Sequence, residues 1–108
     1  MKATSLGDFE ELVLMSVCIL NEQAYAVSIK LDLEERLKKG INISAIHTAL
    51  YRLEDKGFLT SKMEGATAER GGRRKRYFLP TSEGQRALAR LKSLRYSMYQ
   101  LIPDLSNA

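Results

Sequence analysis

The residues best suited to chemistry lie in one stretch of the chain, Ile43 to Asp55. Ile43, Ile46, Leu50 and Leu53 recur at spacings of three and four, which predicts the buried stripe of a helix. The opposite stripe carries hydroxyl, imidazole, phenol, guanidinium and carboxylate groups, on Ser44, His47, Thr48, Tyr51, Arg52 and Asp55. Such groups can reach base edges and phosphates in the major groove of DNA, which admits one helix. The alternative is a solvated face, although such a face is usually richer in Lys and Glu.

A basic segment follows this helix, and it consists of Arg73, Arg74, Lys75 and Arg76. Residues 70–95 hold nine of the 17 basic residues and a single acid, Glu83, although the whole chain has a net charge of only +4. Positive charge concentrated in this way predicts a polyanionic partner, with a solvated basic surface as the alternative. Because successive side chains of a strand point to opposite faces, we expect two or three of the four bases to contact phosphates.

Groups associated with catalysis do not combine into a site. Cys18 is the single cysteine and lies in the most apolar segment, where a buried, inert thiol is expected. His47 has no partner that the sequence places beside it as in a catalytic triad. The adjacent carboxylates Glu10–Glu11 and Glu34–Glu35 point about 100° apart on a helix, so they do not converge. Residues 65–72 lack the Gly-Lys-Ser/Thr ending of a phosphate-binding loop. We therefore expect no enzyme, no metal site and no cofactor.

Hydrophobic periodicity and turn residues predict four helices and two strands that position these groups. The first helix is expected from Asp8, as the cap, to about Asn21, and the second from about Val27 to Lys39, with Gly40 as a left-handed cap. The third is expected from Ser44 to Lys56, with Gly57 as the stop, and the fourth from Thr81 or Ser82 to about Ile102. The expected strands are Phe58–Met63 and Arg74–Leu79. This order predicts a mainly α fold with a small β hairpin (α+β), a winged helix-turn-helix with a long C-terminal helix. Residues 1–80 are expected to form the DNA-binding domain and residues 81–108 the dimerisation helix, in one structural unit.

Length and composition limit the class of protein. The chain has 108 residues, of which 44% are hydrophobic and 28% charged, as in one small soluble domain. The densest apolar run, Leu12 to Leu20, is far shorter than a membrane span, and no signal peptide is evident at the N-terminus. We therefore expect a cytoplasmic protein without a membrane partner.

The first and last helices carry more apolar surface than one small domain can cover, which predicts a homodimer. The residues expected at the dimer interface are Leu12, Leu88, Leu91, Leu94, Met98, Leu101 and Ile102. The alternative is a last helix that folds back on its own core. Tyr96 and Tyr99 lie near this surface, where they either line a pocket for a small hydrophobic or aromatic effector or simply pack.

Three segments resemble the PadR family of bacterial winged-helix transcription regulators, and the length is similar to its short subfamily. The segments are Leu6–Leu14 followed by Ala24–Tyr25, Ala49–Glu54 with Gly57, and Gly71–Phe78 leading to Thr81 and Gly84. The resemblance implies a homodimer that binds a two-fold symmetric operator, usually as a repressor, and that is often released by a small aromatic or drug-like compound. It also implies that Tyr25 lies close to the DNA backbone. The chain departs from the family pattern at His47, where Tyr is common, at Ala26, where Gly is common, and at Leu79–Pro80.

Three functions therefore compete at this point. The first is a dimeric repressor that binds double-stranded DNA. The second is a winged-helix module that binds protein or RNA and recognises no palindromic duplex. The third is a small-molecule sensor with weak DNA binding, which differs from the first only in whether a ligand changes the affinity for DNA.

Overall fold

The computed structural model describes residues 5–65 and 74–103. It contains four α-helices and a two-stranded antiparallel hairpin, with a short 3-10 helix, Asn21–Gln23, after the first α-helix. The elements are α1 (Asp8–Leu20), α2 (Ala26–Leu37), α3 (Ile43–Asp55), β1 (Leu59–Gly65), β2 (Arg74–Pro80) and α4 (Ser82–Tyr99). This is the predicted winged helix-turn-helix with a long C-terminal helix, so the predicted fold class is confirmed.

The core lies where the first three helices meet the base of the hairpin. Each element contributes the side chains that its hydrophobic period places on one face, and the most deeply buried large ones include Leu14, Ile29, Leu33, Ile46, Leu50 and Leu53. Phe58 and Phe78 close the core from the hairpin side, and Ala87 closes it from α4. The core therefore fixes α3 by one face only and leaves its other face open.

The helix ends differ from the predicted ends by one to three residues. The N-cap of α1 is Gly7, whose backbone N–H donates to Glu10, and not Asp8. The N-cap of α3 is Asn42, whose side chain accepts from the backbone N–H of Ser44. Lys38, and not Gly40, takes the left-handed conformation after α2, with φ of 58°. Because α4 ends at Tyr99, it is also shorter than predicted.

The hairpin and α4 are joined firmly to the end of α3. Strand β1 pairs with β2 from Leu59 opposite Pro80 to Gly65 opposite Arg74. Gly57 ends α3 as predicted, and its φ of 84° is one that glycine adopts without strain. Thr81 caps α4, and its hydroxyl also donates to the carbonyl oxygen of Gly57 at 2.6 Å. No helix within the described ranges is long and apolar enough to cross a membrane.

Candidate nucleic-acid interface

The outward face of α3 carries the polar stripe that the sequence predicted. Ser44, His47, Thr48, Tyr51, Arg52 and Asp55 are all exposed, whereas Ile46, Ala49, Leu50 and Leu53 are buried beneath them. Ile43, expected in the buried stripe, is only half-buried because it lies in the first turn, at the edge of the core. The imidazole of His47 and the ring of Tyr51 stack with their centroids 6.2 Å apart, so they present one continuous aromatic surface. A side chain as large as Tyr51, 60% exposed, is available for contact with a partner.

This outward face forms a ridge between two grooves. The groove on the hairpin side has a volume of about 390 Å³, and its lining includes Tyr25, His47, Tyr51, Arg74, Lys75 and Arg76. The groove on the α1 side has a volume of about 490 Å³, and its lining includes Ser44, Thr48 and Arg52 from α3 together with Phe9 and Glu10 from α1. Each groove thus brings together residues that are distant in the sequence, such as Tyr25 and Arg76 on the hairpin side.

Tyr25 connects the start of α2 to the hairpin. Its ring meets the edge of the Tyr77 ring at a centroid distance of 5.5 Å, and the Lys75 ammonium lies 4.2 Å from its centroid. A cation over an aromatic face is attracted by the ring's quadrupole, and this contact holds the Lys75 side chain against α2. Lys75 and Tyr77 therefore share one side of β2, as the alternation of a strand requires.

Arg76 is held on the other side of the hairpin. Its guanidinium donates to the hydroxyl of Ser61 at 3.0 Å, and that hydroxyl donates to the carboxylate of Glu54 at 2.7 Å. This chain of hydrogen bonds links β2, β1 and the last turns of α3. It fixes the basic strand relative to the polar ridge.

A part-buried ion pair lies at the other side of α3. Lys56, directly after the helix, donates to Glu10 Oε1 at 2.6 Å and to the carbonyl oxygen of Ser5 at 2.7 Å. Burial would raise the pKa of Glu10, but hydrogen bonds from Gly7 and Lys56 and the charge of Lys56 outweigh it and lower the pKa below its ordinary value of 4.5. The carboxylate is therefore ionised at neutral pH.

The sequence located most of these groups but missed their partners. Arg73 lies outside the described residues, and the other nine residues predicted to bind DNA all line one of the two grooves. Tyr77, Ser61 and Lys56 were not singled out, although each contacts a residue that lines one of the two grooves. Their only signal in the sequence was chemical type, because each contacts a residue distant along the chain.

Part of the predicted dimer surface packs against the core of its own chain. Leu12 and Leu88 pack against the core, and Leu91 is half-buried. Leu94, Met98, Leu101 and Ile102 are exposed, by 54%, 58%, 83% and 44% respectively. Met15, Tyr96 and Tyr99 lie beside this surface and line an apolar groove of about 540 Å³ between α1 and α4. The described part of α4 thus does not fold back onto the core beyond Leu91.

Cys18, the single cysteine, lies half-buried in α1. Burial raises the pKa of the Cys18 thiol, which disfavours the reactive thiolate. In the part of the chain that the structure describes, no three histidine, cysteine or acidic side chains are grouped so as to hold a metal ion.

A family model matches most of the chain and shows the family to which the chain belongs. A model of the transcriptional regulator PadR-like family matches residues 16–90. The chain belongs to the PadR-like family. The resemblance seen in the sequence is confirmed, and this family consists of transcriptional regulators. No curated protein is a significant match to the chain.

Solved structures of PadR-like proteins share the fold. A PadR family regulator from Eggerthella lenta is 22% identical, with a TM-score of 0.66 over 82% of this chain and 75% of that one. A PadR-like transcription factor from Bacteroides fragilis is 20% identical, with a TM-score of 0.71 over 85% and 84%. Bacillus subtilis PadR, solved in complex with operator DNA, is 20% identical, with a TM-score of 0.63 over 78% of this chain and 46% of that protein.

Proposed function

We propose that this PadR-like protein is a cytoplasmic repressor that binds a palindromic operator as a homodimer. In this proposal α3 lies in the major groove, the hairpin holds the adjacent phosphates, and the long α4 joins two copies. The observation that carries the proposal is the polar ridge of α3 standing beside a groove whose lining includes three basic residues of the hairpin.

The dimensions of the ridge suit a major groove. An α-helix with its side chains is about 10–12 Å across, and the major groove is about 12 Å wide. With α3 inserted, base edges would face the stripe of Ser44, His47, Thr48, Tyr51 and Arg52. Hydroxyl and guanidinium groups read base edges by hydrogen bonds, and the Tyr51 ring offers apolar contact to a thymine methyl group.

The hairpin is suited to holding the DNA backbone. The grooves on the two sides of the ridge provide room for the backbones that border the major groove. Arg74, Lys75 and Arg76 line the groove on one side, with Arg73 preceding them in the chain. Tyr25 contacts Lys75 and lines the same groove, which supports a position for Tyr25 beside the same backbone. Contacts to phosphate fix the register of the protein on DNA without reading its sequence.

The exposed end of α4 and the turn that follows it support the homodimer. Four large apolar side chains, Leu94, Met98, Leu101 and Ile102, meet water on a single chain. Burying apolar area contributes about 25 cal/mol per Å², so covering this surface on two copies favours association. A two-fold axis that relates the α4 helices of two copies would also relate their α3 helices. These two α3 helices must lie about 34 Å apart to enter successive major grooves on one side of the DNA.

The repressor role and its release rest on the family resemblance. A protein that occupies an operator blocks transcription, and a compound that changes the arrangement of the two copies would end the block. The apolar groove between α1 and α4, with Tyr96 and Tyr99 in its lining, is the proposed binding site for a small hydrophobic or aromatic effector.

Binding to duplex DNA tests the proposal. The DNA upstream of the protein's own coding sequence and duplexes selected from a randomised library would be titrated against a scrambled duplex at several salt concentrations. We expect a complex with two chains per duplex, a preference of at least about 10³-fold over the scrambled duplex, and a steep loss of affinity with salt. A monomer that binds no selected duplex would favour the alternative, a winged-helix module for protein or RNA.

Substitutions then separate residues that recognise bases from residues that contact phosphates. Tyr51→Ala or Arg52→Ala should reduce the preference for the selected duplex, whereas Arg74→Gln should weaken binding to all duplexes alike. If all three variants weakened binding to every duplex equally, the assignment of α3 as the reading helix would be wrong.

A further inference from the structure

Two adjacent carboxylates in the first turn of α1 each bind a cation from a different helix. Glu10 accepts from Lys56, at the end of α3, and Glu11 accepts from Arg95 of α4 at 2.7 Å. Neighbouring side chains on a helix point about 100° apart, which is why the two carboxylates have different partners. The function proposed above uses neither pair.

The pair on α3 is much better shielded from water than the pair on α4. The two carboxylates are similarly covered, with Glu10 10% and Glu11 14% exposed, but the cations differ: Lys56 is 15% exposed and Arg95 is 48% exposed. Ionic screening weakens exposed pairs far more than buried ones, and removing one partner of a buried pair leaves an uncompensated charge. The two pairs therefore differ in how far water reaches the cation, and the Lys56–Glu10 pair is the better suited to holding a helix in place.

The shielded pair has several bonds with fixed directions. Lys56 also donates to the carbonyl oxygen of Ser5, and Glu10 also accepts from the backbone N–H of Gly7 at 3.0 Å. The buried stripe of α3 is held by apolar contacts, which do not depend on direction. Hydrogen bonds from charged groups do depend on direction, so they can fix the tilt of α3 where the apolar contacts leave it free.

We propose that Glu10 and Lys56 are positioning residues that set the angle of α3 in the major groove. This inference rests on the proposed function, because it concerns how α3 meets base pairs. Lys56 lies four residues after Arg52, so release of the pair would displace the C-terminal half of the reading face most. Base contacts made by Arg52 and Tyr51 would be lost. The hairpin would move with the end of α3 but would keep contacts to phosphates, because those contacts do not read the sequence.

Four variants test the proposal with the best-bound duplex from the randomised library and its scrambled counterpart. Glu10→Gln keeps an acceptor for Gly7 but loses the charge, and Lys56→Met keeps the length of the side chain. Each should lower the ratio of affinities for the selected and scrambled duplexes about tenfold or more, which is the discrimination supplied by one good base contact. Lys56→Arg, which keeps the charge, should restore the ratio to within about threefold of the wild type.

Glu11→Gln is the matched control, because it makes the same chemical change in the same helical turn. It should leave the ratio within about threefold of the wild type, since its partner belongs to α4 and not to α3. Equal losses in Glu10→Gln and Glu11→Gln would overturn the proposal. So would a double variant, Glu10→Gln with Lys56→Met, whose loss is the product of the two single losses, because residues that act as a pair are not additive.

Hydrogen exchange of the backbone provides a readout that needs no DNA. Amides from Leu53 to Phe58 should exchange at least about tenfold faster in Glu10→Gln than in Glu11→Gln, because the end of α3 opens more easily without the pair. Equal exchange in the two variants would overturn the positioning role. If no duplex were selected but this difference were seen, the proposed function would fail while the pair would still be shown to hold α3.

Discussion

Gly84 is the position where the packing of α4 against the hairpin allows the least change. It is buried in the first turn of α4 and faces the backbone of Phe58, the residue before β1. A Cβ atom added there would come closer than 3.0 Å to the carbonyl oxygen of Phe58 and to 3.1 Å from its carbonyl carbon. The same oxygen accepts a hydrogen bond from the N–H of Thr81 at 3.1 Å, so it cannot move freely.

The expected cost of Gly84→Ala follows from two opposing effects. Alanine favours a helix over glycine by about 1 kcal/mol. Overpacking costs about 1–3 kcal/mol, and we take about 3 kcal/mol because the atoms that must move belong to the backbone. The free energy of unfolding should therefore fall by about 2 kcal/mol. For a domain of this size, that lowers Tm by about 8–16 °C.

Thermal unfolding followed by circular dichroism measures this effect, with Gly40→Ala as the matched control. A Cβ atom at Gly40 meets only the carboxylate of Glu34, at 3.8 Å, which is an ordinary contact. Gly40→Ala should leave Tm unchanged or raise it slightly, since alanine restricts the unfolded chain. If Gly84→Ala melted at or above the temperature of Gly40→Ala, the close approach of α4 to the hairpin would be refuted.

Three further predictions concern charge and assembly. Because the folded state lowers the pKa of Glu10, the stability that its charge contributes is present above pH 4.5 and is lost as the pH falls through the lower folded-state pKa. In denaturant titrations, wild type and Glu10→Gln should thus differ most near neutral pH and converge at acid pH. Arg74→Gln should reduce the slope of log affinity against log salt by about one, measured by fluorescence anisotropy. Leu94→Asp should yield monomers in sedimentation velocity, because it places a charge in the expected dimer interface.

The outcomes that contradict these predictions are equally specific. If the difference in stability between wild type and Glu10→Gln stayed the same at acid pH, the charge of Glu10 would not be its cause. An unchanged salt slope for Arg74→Gln would remove that side chain from the phosphate contacts. Leu31 is a suitable control for Leu94, since it is 57% exposed and lies on α2. Dissociation by Leu31→Asp but not by Leu94→Asp would move the dimer interface away from α4.

The sequence was informative wherever a contact follows from local periodicity. The polar ridge of α3 was predicted from spacing, because a helix repeats every 3.6 residues. The two strands were predicted from their apolar and aromatic content between turn residues. Gly57 was predicted as the end of α3 for a similarly local reason, its tolerance of a positive φ. These features need no knowledge of which element packs against which.

The remaining features depend on contacts between distant residues. Glu10 and Glu11 were interpreted as neighbours that do not converge, and the cations that they bind lie 46 and 84 residues away. Asp8 and Ser44 had the right chemistry for caps, but the folded chain places Gly7 and Asn42 at those positions. The side chain of Glu10 thus serves both α1 and α3, which the pattern of one helix cannot reveal.

Hydroxyl-radical footprinting on a selected duplex tests the central claim most directly, namely that two copies of α3 read one operator. We predict two protected windows on the same side of the DNA, about 10 base pairs apart between their centres, that disappear together in the monomeric Leu94→Asp variant. A single protected window, or even protection along the whole duplex, would contradict the account.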